Sequence, residues 1–518
     1  MSSQIRRATS VFLALLFLVA SACQRQPQPP LPREQKLVES VKPPPVQPID
    51  RDLKAIKERG TLVVLAPYNS TTYFLYRGEP LGYEFELLRA FAEEHGLKLE
   101  MQVVTNRNLL FNKLNTGEGD VVAARLNPKP EDEAEVSFTN ALYRTEPALV
   151  QQKAPPDKAT QLTEPAKTEI KSEPTDAKAG ESVMSKADDS VMISARLIER
   201  PAQLAGEQVT LPEGSAYKRT LIELADEISG DINVVEIGGG ADEEALVAKV
   251  AKGDVEYTVV QDNLAELKEA HYTNIKIRPI VGASHKVAWA VRKNARGLQE
   301  ELNRWIAEKK NGSLFDRLYK KYFTDRKSYK ERVESEYLTS VTGKLSQYDP
   351  LLKRYSPELN WDWRLLAAQT FQESRFKPAA RSWAGASGLL QLMPATAREY
   401  GVKNSQDPED NVRGAVKFLN WLTRYWRKIP DETERLKFIL ASYNCGAGHV
   451  EDAQRLTEKY GGNPQVWNDV SYWLLQLSKS QYSDDPVVKY GFCRGIEPVT
   501  YVIRILERFN HYKQFVVT

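Results

Sequence analysis

The hydrophobic pattern of this 518-residue chain changes once along its length, near residue 346. Before that point, over residues 50–326, short apolar runs such as GTLVVLAP and GDVVAARL alternate with helical patterns such as GYEFELLRAFAEEHG. This alternation predicts α/β units built around largely parallel sheets. Over residues 346–518, helical periods with many Trp and Tyr replace it, which predicts a separate, mostly α-helical domain.

The composition is that of a soluble globular protein, with 42% hydrophobic and 27% charged residues. A formal net charge of +2 disfavours polyanionic partners, so no nucleic acid is expected to bind. The three cysteines and five histidines are scattered without the spacing of metal ligands. We therefore expect neither a metal site nor a cofactor.

The first 22 residues have the pattern of a secretory signal peptide. Arg6 and Arg7 precede an uncharged apolar run that is too short to span a bilayer and that ends in small residues before Cys23. This ending resembles the bacterial lipobox, in which the cysteine becomes the acylated first residue. Gln24, rather than aspartate, follows, and in that pattern this favours the periplasmic face of the outer membrane. The alternative is plain secretion with an incidental cysteine.

Three segments have the composition of connectors. Residues 23–49 are rich in proline, which predicts an extended tether behind the lipid anchor. Residues 153–190 are rich in Pro, Lys, Glu, Thr and Ala and nearly free of aromatic residues, which predicts a disordered insertion. The charged stretch DRKSYKERVE indicates a linker over residues 327–345.

Several ordered motifs within residues 50–326 resemble the solute-binding family of amino-acid transport systems. They are RGTLVVLAPYN, GEPLGYEFELLRAFAEEHGLKLEM, LLFNKLNTGEGDVVAA, GEQVTLPEGSAYKRTL, KGDVEYTVVQD and GSLFDRLYKKYF. The resemblance implies two α/β lobes joined by a hinge, with a ligand cleft between them.

The ligand-binding residues of that family are only partly kept. Its arginine, which clamps a ligand carboxylate through a planar fork, is matched by Asp132, which would repel such a group. Ser215 and Asp262 match the Gly-Ser turn and the acid that receives a ligand amine, and Arg125 or Lys129 are the candidate replacements for the arginine. The expected ligand is a small molecule or a muropeptide. The alternative is a lobe pair that serves only as scaffold or regulator.

The stretch AAQTFQESRF places a carboxylate on the buried stripe of a predicted helix. Leu366, Gln369 and Glu373 share one helical face. An isolated buried carboxylate is costly, so Glu373 should have a partner, an elevated pKa or a chemical role. From Ser374 to Arg398 the chain contains no Asp or Glu, which favours a mechanism with one carboxylate rather than the usual two.

The motifs LLAAQTFQESRFKPAARSWAGASGLLQLMPATA and ILASYNCGAGHV resemble the soluble-lytic-transglycosylase catalytic domain, which has a goose-type lysozyme-like fold. The shared signatures are Glu-Ser on a helix, a Gly-Leu-x-Gln-x-Met-Pro turn, Ala-x-Tyr-Asn-x-Gly and a later tyrosine, here Tyr501. Together with the preceding module, the chain is similar to the F-type family of membrane-bound lytic murein transglycosylases.

The resemblance implies that Glu373 cleaves the β-1,4 bond between N-acetylmuramic acid and N-acetylglucosamine of peptidoglycan. Glu373 would protonate the bridging oxygen and then, as a base, activate the muramic C6 hydroxyl, which closes on C1 to a 1,6-anhydro sugar. Tyr501 would hydrogen-bond Glu373 or the sugar. The remaining substrate-binding candidates are Ser374, Gln391, Met393, Tyr443 and Asn444.

The residue patterns leave alternatives open. Tyr443 and Tyr501 are also compatible with core aromatics, and Gln391 with a turn cap. A hydrolytic muramidase and a binding receptor without catalysis are the rival functions. Cys445 and Cys493 are the two cysteines left if Cys23 is acylated, and if the family fold brings their signatures together they form a disulfide in the oxidising periplasm. The alternative is a pair of buried free thiols.

Overall fold

The computed structural model describes residues 46–153, 197–238 and 241–516. The predicted signal peptide, Cys23, most of the tether and most of the 153–190 insertion lie outside these residues. In the described part of the chain, no helix is both long enough and apolar enough to cross a membrane.

Two mixed β-sheets form the N-terminal module. The strands are β1 Thr61–Ala66, β2 Phe74–Tyr76, β3 Glu79–Leu81, β4 Lys98–Val103, β5 Val121–Leu126, β6 Val136–Phe138, β7 Tyr143–Thr145, β8 Pro147–Gln152, β9 Gln208–Pro212, β10 Asn233–Ile237, β11 Tyr257–Gln261, β12 Ile275–Lys276 and β13 His285–Arg292. The first sheet has the order β4-β1-β5-β13-β6, with β7 also pairing β13, and the second has the order β10-β9-β11-β8-β12. Strands β2 and β3 form a separate hairpin.

The helices surround these sheets and then make up the rest of the chain. They are α1 Leu53–Arg59, α2 Tyr83–Glu94, α3 Leu110–Asn115, α4 Tyr217–Glu227, α5 Glu243–Lys252, α6 Asp262–His271, α7 Arg296–Lys310, α8 Ser313–Tyr319, α9 Arg326–Val333, α10 Thr339–Thr342, α11 Asp349–Tyr355, α12 Trp363–Ser374, α13 Pro394–Glu399, α14 Pro408–Tyr425, α15 Glu432–Cys445, α16 Ala447–Lys459, α17 Trp467–Gln476, α18 Ser480–Ser483 and α19 Ile496–Phe515.

The predicted two-lobed α/β module is confirmed. The chain passes to the second sheet between β7 and β8 and returns before β13, so two crossings join the lobes. The sheets are less parallel than predicted, because β13 runs antiparallel to β5 and β8 runs antiparallel to β11. Each of these strands follows or precedes a crossing between lobes, and hydropathy alone does not reveal strand direction.

The segment predicted as a linker, 327–345, is ordered. It contains most of α9 and all of α10, and α9 buries Tyr329 and Arg332, which lie three residues apart on one helical face. Tyr329 and Leu338 belong to the hydrophobic core of the first lobe. The charged sequence DRKSYKERVE shows no apolar helical face, because the buried face of α9 consists of one aromatic side chain and the stem of one arginine.

The C-terminal part is mostly helical, as predicted, and its named elements among the described residues are all helices joined by turns and loops. Its core gathers around α12, which packs against α19, and α19 also packs against α15. Asp362 caps the N-terminus of α12, and its carboxylate accepts the Arg364 N–H at 2.9 Å. It ends where Arg375 and Phe376 adopt left-handed backbone conformations, with φ of 51° and 58°. The chain therefore turns sharply away directly after the Glu-Ser pair.

The hairpin β2–β3 joins the module to the helical domain. Leu75 lies in the helical domain's own core cluster, and the Tyr512 hydroxyl donates to the Gly78 carbonyl at 2.7 Å. Gly78 has φ of 74°, and a Cβ there would lie 2.6 Å from Tyr512 Oη and 2.8 Å from the Phe376 ring. Close packing at this turn therefore requires glycine.

Helix α19 makes a second set of contacts with the module. The Phe515 ring stacks on Tyr68 with a centroid separation of 4.1 Å, and His511 hydrogen-bonds the Tyr73 hydroxyl. Burial lowers the pKa of His511 to about 3, so its imidazole is neutral. Gln514 Nε2 donates to the Met101 carbonyl on β4 at 2.8 Å. The two domains thus pack against each other through aromatic and backbone contacts and are not joined only by the connecting segment.

Candidate active site

Glu373 lies one residue before the end of α12, with part of its side chain still open to solvent. The Tyr501 hydroxyl, from α19, donates to Glu373 Oε1 at 2.5 Å. Gln369, one turn before Glu373, donates from Nε2 to the same tyrosine oxygen at 3.2 Å. Because Gln369 is fully buried and Tyr501 nearly so, these contacts form a fixed relay that orients the carboxylate from behind.

The electrostatics of Glu373 fit an acid that is protonated near neutral pH. Burial raises its pKa to about 7, and the hydrogen bond from Tyr501 opposes this shift only in part. No other carboxylate of the described residues contributes to the shift. Burial also raises the pKa of Tyr443 and Tyr501 well above the usual value, so both phenols stay neutral.

Three acidic residues beyond Arg398, namely Asp407, Glu409 and Asp410, have structural roles. Asp407 accepts the Asp410 N–H at 2.8 Å and begins α14, and Asp410 accepts the backbone N–H groups of Lys403 and Asn404. Glu409 pairs with Arg354 at 3.0 Å. Their engagement at the start of a helix agrees with the interpretation that Glu373 works without a second carboxylate.

Gln391 closes the turn that carries the second signature. Its Nε2 donates to the carbonyls of Ala380 and Gly388, at 2.9 and 2.8 Å, and its own φ is 44°. Gln391 therefore has the role of turn cap, one of the alternatives that the sequence leaves open. Met393 precedes α13 and is 44% exposed beside this turn, in a position where a ligand can reach it.

The third signature lies at the end of α15. The Tyr443 hydroxyl donates to the Leu390 carbonyl at 2.6 Å, which joins this helix to the Gln391 turn. Asn444 is exposed. Ser374 is buried, and its hydroxyl donates to the Thr370 carbonyl at 3.2 Å, so it acts on its own helix rather than on the Glu373 carboxylate.

Gln369 is the functional residue that sequence reasoning did not assign. The sequence predicts Gln369 on the buried stripe with Glu373, but its contact with Tyr501 depends on α19, which is distant in sequence. The available signal was an amide on an otherwise apolar stripe four residues before the acid. A buried amide needs a hydrogen-bond partner, and here that partner is the tyrosine that also donates to Glu373.

A cavity of about 150 Å³ lies between the two lobes of the module, and Arg125 and Ser215 are among the residues that line it. Across it, Arg125 Nη2 pairs with Glu243 at 3.1 Å. No partner among the described residues reaches Arg125 Nε or Nη1, although the side chain is almost fully buried. A second contact between lobes runs from the Ser70 hydroxyl to Glu244, at 2.8 Å.

The other residues predicted for this cleft differ in their positions. Asp132 and Lys129 line the cavity and lie 3.8 Å apart, measured from the carboxylate to the ammonium. Asp262 is not among the lining residues. Its carboxylate accepts from the Thr145 hydroxyl and from the backbone of Glu146, at a crossing between lobes. It therefore sits in the hinge rather than in the cavity.

Cys445 and Cys493 lie side by side as free thiols within hydrogen-bond contact. Cys493 is buried, and Cys445 is partly exposed next to Asn444. The contact brings the end of α15 next to the segment before α19. Among the described residues, no group of three or more His, Cys, Asp or Glu is arranged to hold a metal ion.

Comparison with known proteins places this geometry in a family. The model "Bacterial extracellular solute-binding proteins, family 3" matches residues 49–325, and the model "Transglycosylase SLT domain" matches residues 350–466. Membrane-bound lytic murein transglycosylase F of Desulfosudis oleivorans is 32% identical over 465 residues, covering 90% of this chain and 92% of the relative. This chain belongs to that family.

Further comparisons give the following similarities. The protein of the same name from Pseudomonas fluorescens is 29% identical, covering 88% of this chain and 86% of that relative. Among solved structures, that of the ancestral amino acid-binding protein AncCDT-1 aligns with 52% of this chain and 98% of its own, at 19% identity and a TM-score of 0.39. The family resemblance predicted from the sequence is confirmed. Tyr501 lies beyond the matched catalytic model, so the structure rather than the model connects it to Glu373.

The elevated pKa of Glu373 predicts how the unfolding free energy of the protein depends on pH. The folded state binds this proton more tightly than the unfolded chain, so ionisation costs stability as the pH rises from about 4.5 to about 7. Glu373→Gln removes that cost and keeps an acceptor for Tyr501. We expect equal unfolding free energies for variant and wild type at about pH 4, and a gain of about 3 kcal/mol for the variant above about pH 7.

Urea unfolding of the full chain at both pH values measures this difference. Glu358→Gln is the matched control, because it makes the same change at an exposed carboxylate of the same domain. A constant difference between Glu373→Gln and wild type across the pH range would contradict the assigned desolvation.

Proposed function

We propose that Glu373 alone supplies the acid and the base for non-hydrolytic cleavage of the β-1,4 bond between N-acetylmuramic acid and N-acetylglucosamine. The chain is a member of the lytic murein transglycosylase family and carries its catalytic domain. The observation that supports the finer assignment is a single carboxylate with a pKa of about 7, held by Tyr501 and influenced by no other carboxylate of the described residues.

The reaction needs one proton delivered and one removed. Glu373 donates its proton to the bridging oxygen, the bond to muramic C1 breaks, and the acetamido group of the substrate stabilises the positive charge at C1. The Glu373 carboxylate then takes the proton of the muramic C6 hydroxyl as O6 bonds to C1, which yields the 1,6-anhydro end. A pKa near neutrality suits both steps, and the Tyr501 hydrogen bond stabilises the carboxylate between them.

The sugar subsites are assigned to the residues around this acid. Support comes from their accessibility, since Met393 and Asn444 are exposed and Gln391 and Tyr443 partly exposed, and from the hydrogen bond of Tyr443 to the Leu390 carbonyl, which joins the two signatures. Gln391 and Tyr443 also hold the turn in place through their own hydrogen bonds. Substrate contact and turn support are therefore compatible roles for both.

The rival function is a hydrolytic muramidase, in which water replaces the C6 hydroxyl. Two carboxylates normally flank the scissile bond in such enzymes, either as nucleophile and acid or as base and acid. The described residues offer no second carboxylate that influences Glu373. This favours the internal hydroxyl as the attacking group.

Glu373→Gln keeps the shape of the side chain and removes the acid. Lysis of purified sacculi should fall at least about 100-fold, as expected for loss of general acid catalysis, while binding to sacculi persists. Mass spectrometry of the wild-type products should show 1,6-anhydromuramic ends. Reducing muramic ends would support the rival, and substantial lysis by the variant would move the acid elsewhere.

We further propose that Cys23 is acylated and holds the protein to the periplasmic face of the outer membrane. Support comes from the lipobox-like sequence and from relatives whose names call them membrane-bound. Cys23→Ser should leave the protein in the soluble periplasmic fraction or stalled as precursor. Normal sedimentation of that variant with outer membranes would refute the anchor.

The cleft of the module is proposed to bind a small effector such as a muropeptide. Its support is Arg125, whose buried guanidinium keeps two nitrogens without a described partner beside a cavity of about 150 Å³. Such a group suits a carboxylate of the ligand. Calorimetric titration of the full chain with soluble muropeptides measures this, and the absence of binding would favour the scaffold alternative.

Cys445 and Cys493 are proposed to form a disulfide in the periplasm. Their thiols are already in contact, and closing a loop of about 50 residues would stabilise the fold by roughly 4 kcal/mol in the chain-entropy model. Thiol counting on the denatured, unreduced protein tests the bond. Two reactive thiols besides Cys23 would show that the pair stays reduced.

A further inference from the structure

A row of aromatic rings begins at the candidate active site on α15 and continues along one face of α14. The row consists of Tyr443, Phe418, Trp421 and Tyr425, and we call it the aromatic ladder. Successive ring centroids are 5.2, 6.0 and 5.0 Å apart, with interplanar angles of 37°, 19° and 40°. Phe418, Trp421 and Tyr425 lie at i, i+3 and i+7, so they share one helical face.

The outer rungs of the ladder are exposed. Trp421 keeps 39% and Tyr425 keeps 37% of its surface open to solvent. The outer face of a surface helix normally carries polar residues, whereas adjacent exposed aromatic rings mark a surface that binds something.

The ladder is also held in place. The Tyr425 hydroxyl donates to Glu451 Oε1 at 2.6 Å, and Glu451 pairs with Arg455 at 3.5 Å. Phe418 is wedged between Tyr443 and Tyr400, whose centroids lie 5.2 and 5.5 Å from its own. Fixed rings lose little conformational entropy when a ligand covers them.

The inner end of the ladder lies at the acid. Tyr443 hydrogen-bonds the Leu390 carbonyl, next to Gln391, and the Glu373 charge contributes to the raised pKa of the Tyr443 phenol. A surface that continues from the catalytic groups is most simply occupied by another part of the same substrate. The second exposed aromatic group, Tyr460, Trp473 and Tyr472, has no described ring contact with the ladder.

We propose that the aromatic ladder is an extended glycan subsite that seats sugar units of the strand beyond the scissile bond. The inference rests on the proposed function, because it takes the glycan strand as the ligand. The C–H faces of β-linked pyranose rings are apolar and stack on aromatic rings, and a linear strand presents such faces in a row. A single row of rings matches the width of one glycan strand, whereas a protein interface has a broader apolar core.

The prediction is a loss of preference for long strands. We compare kcat/KM for long glycan strands, freed of peptides, with kcat/KM for a short soluble fragment that covers only the scissile bond. Trp421→Ala and Tyr425→Ala should each lower the long-to-short ratio at least about fivefold, which corresponds to about 1 kcal/mol. Tyr472→Ala is the matched control, since it removes an exposed tyrosine from α17, and should leave the ratio unchanged.

A second variant and a binding assay complete the test. Trp421→Phe keeps an aromatic face and should restore most of the ratio, whereas a packing defect at Trp421→Ala would lower both rates together. Binding of long strands is measured in proteins that also carry Glu373→Gln, with and without Trp421→Ala, and the second change should weaken it about fivefold. An unchanged ratio and unchanged binding would overturn the subsite.

The binding arm separates this inference from the proposed function. If Glu373→Gln retained lysis or the products had reducing ends, the proposed mechanism would fail, yet the effect of Trp421→Ala on strand affinity would still be decided. If the mechanism held and affinity did not change, the ladder alone would be refuted.

Discussion

The desolvated carboxylate of Glu373 is the constraint on which the helical domain depends. A carboxylate among apolar residues is tolerated only where its environment is fixed, since any relaxation would let water in and return the pKa to its ordinary value. Tyr501 and Gln369 provide that fixation from the buried side. The close packing of α12 against α19 is therefore as much a condition for chemistry as for stability.

The cost of this arrangement is visible in the same contacts. A glutamate with a raised pKa opposes folding at neutral pH, so the apolar core around α12 must offset it. The core contains fully buried residues on α12 and on its neighbouring helices, among them Leu366, Leu440 and Ile505. The raised pKa of Glu373 therefore favours catalysis but lowers the stability of the fold, and the packing of the surrounding core offsets that loss.

Much of this could be predicted from sequence, and the exceptions share a cause. The strands β1 and β5, the helix α2 and the position of Glu373 follow from local periodicity and motifs, which short stretches of sequence contain in full. The ordered segment 327–345, the relay from Gln369 and the placement of Asp262 in the hinge depend on partners distant in sequence. A charged helix with one buried tyrosine and an amide on an apolar stripe each look ambiguous until those partners are known.

The hairpin β2–β3 makes the two modules one structural unit. Leu75 completes the core of the helical domain, and the turn at Gly78 is held by Tyr512, so part of the catalytic fold is encoded more than 250 residues before Trp363. Dividing the chain near residue 346, where the sequence pattern changes, would remove Leu75 from the hydrophobic core of the catalytic domain. It would also expose Phe515 and Tyr512. A change in the length of this hairpin should therefore destabilise the catalytic domain, even though the hairpin lies in the sequence of the other module.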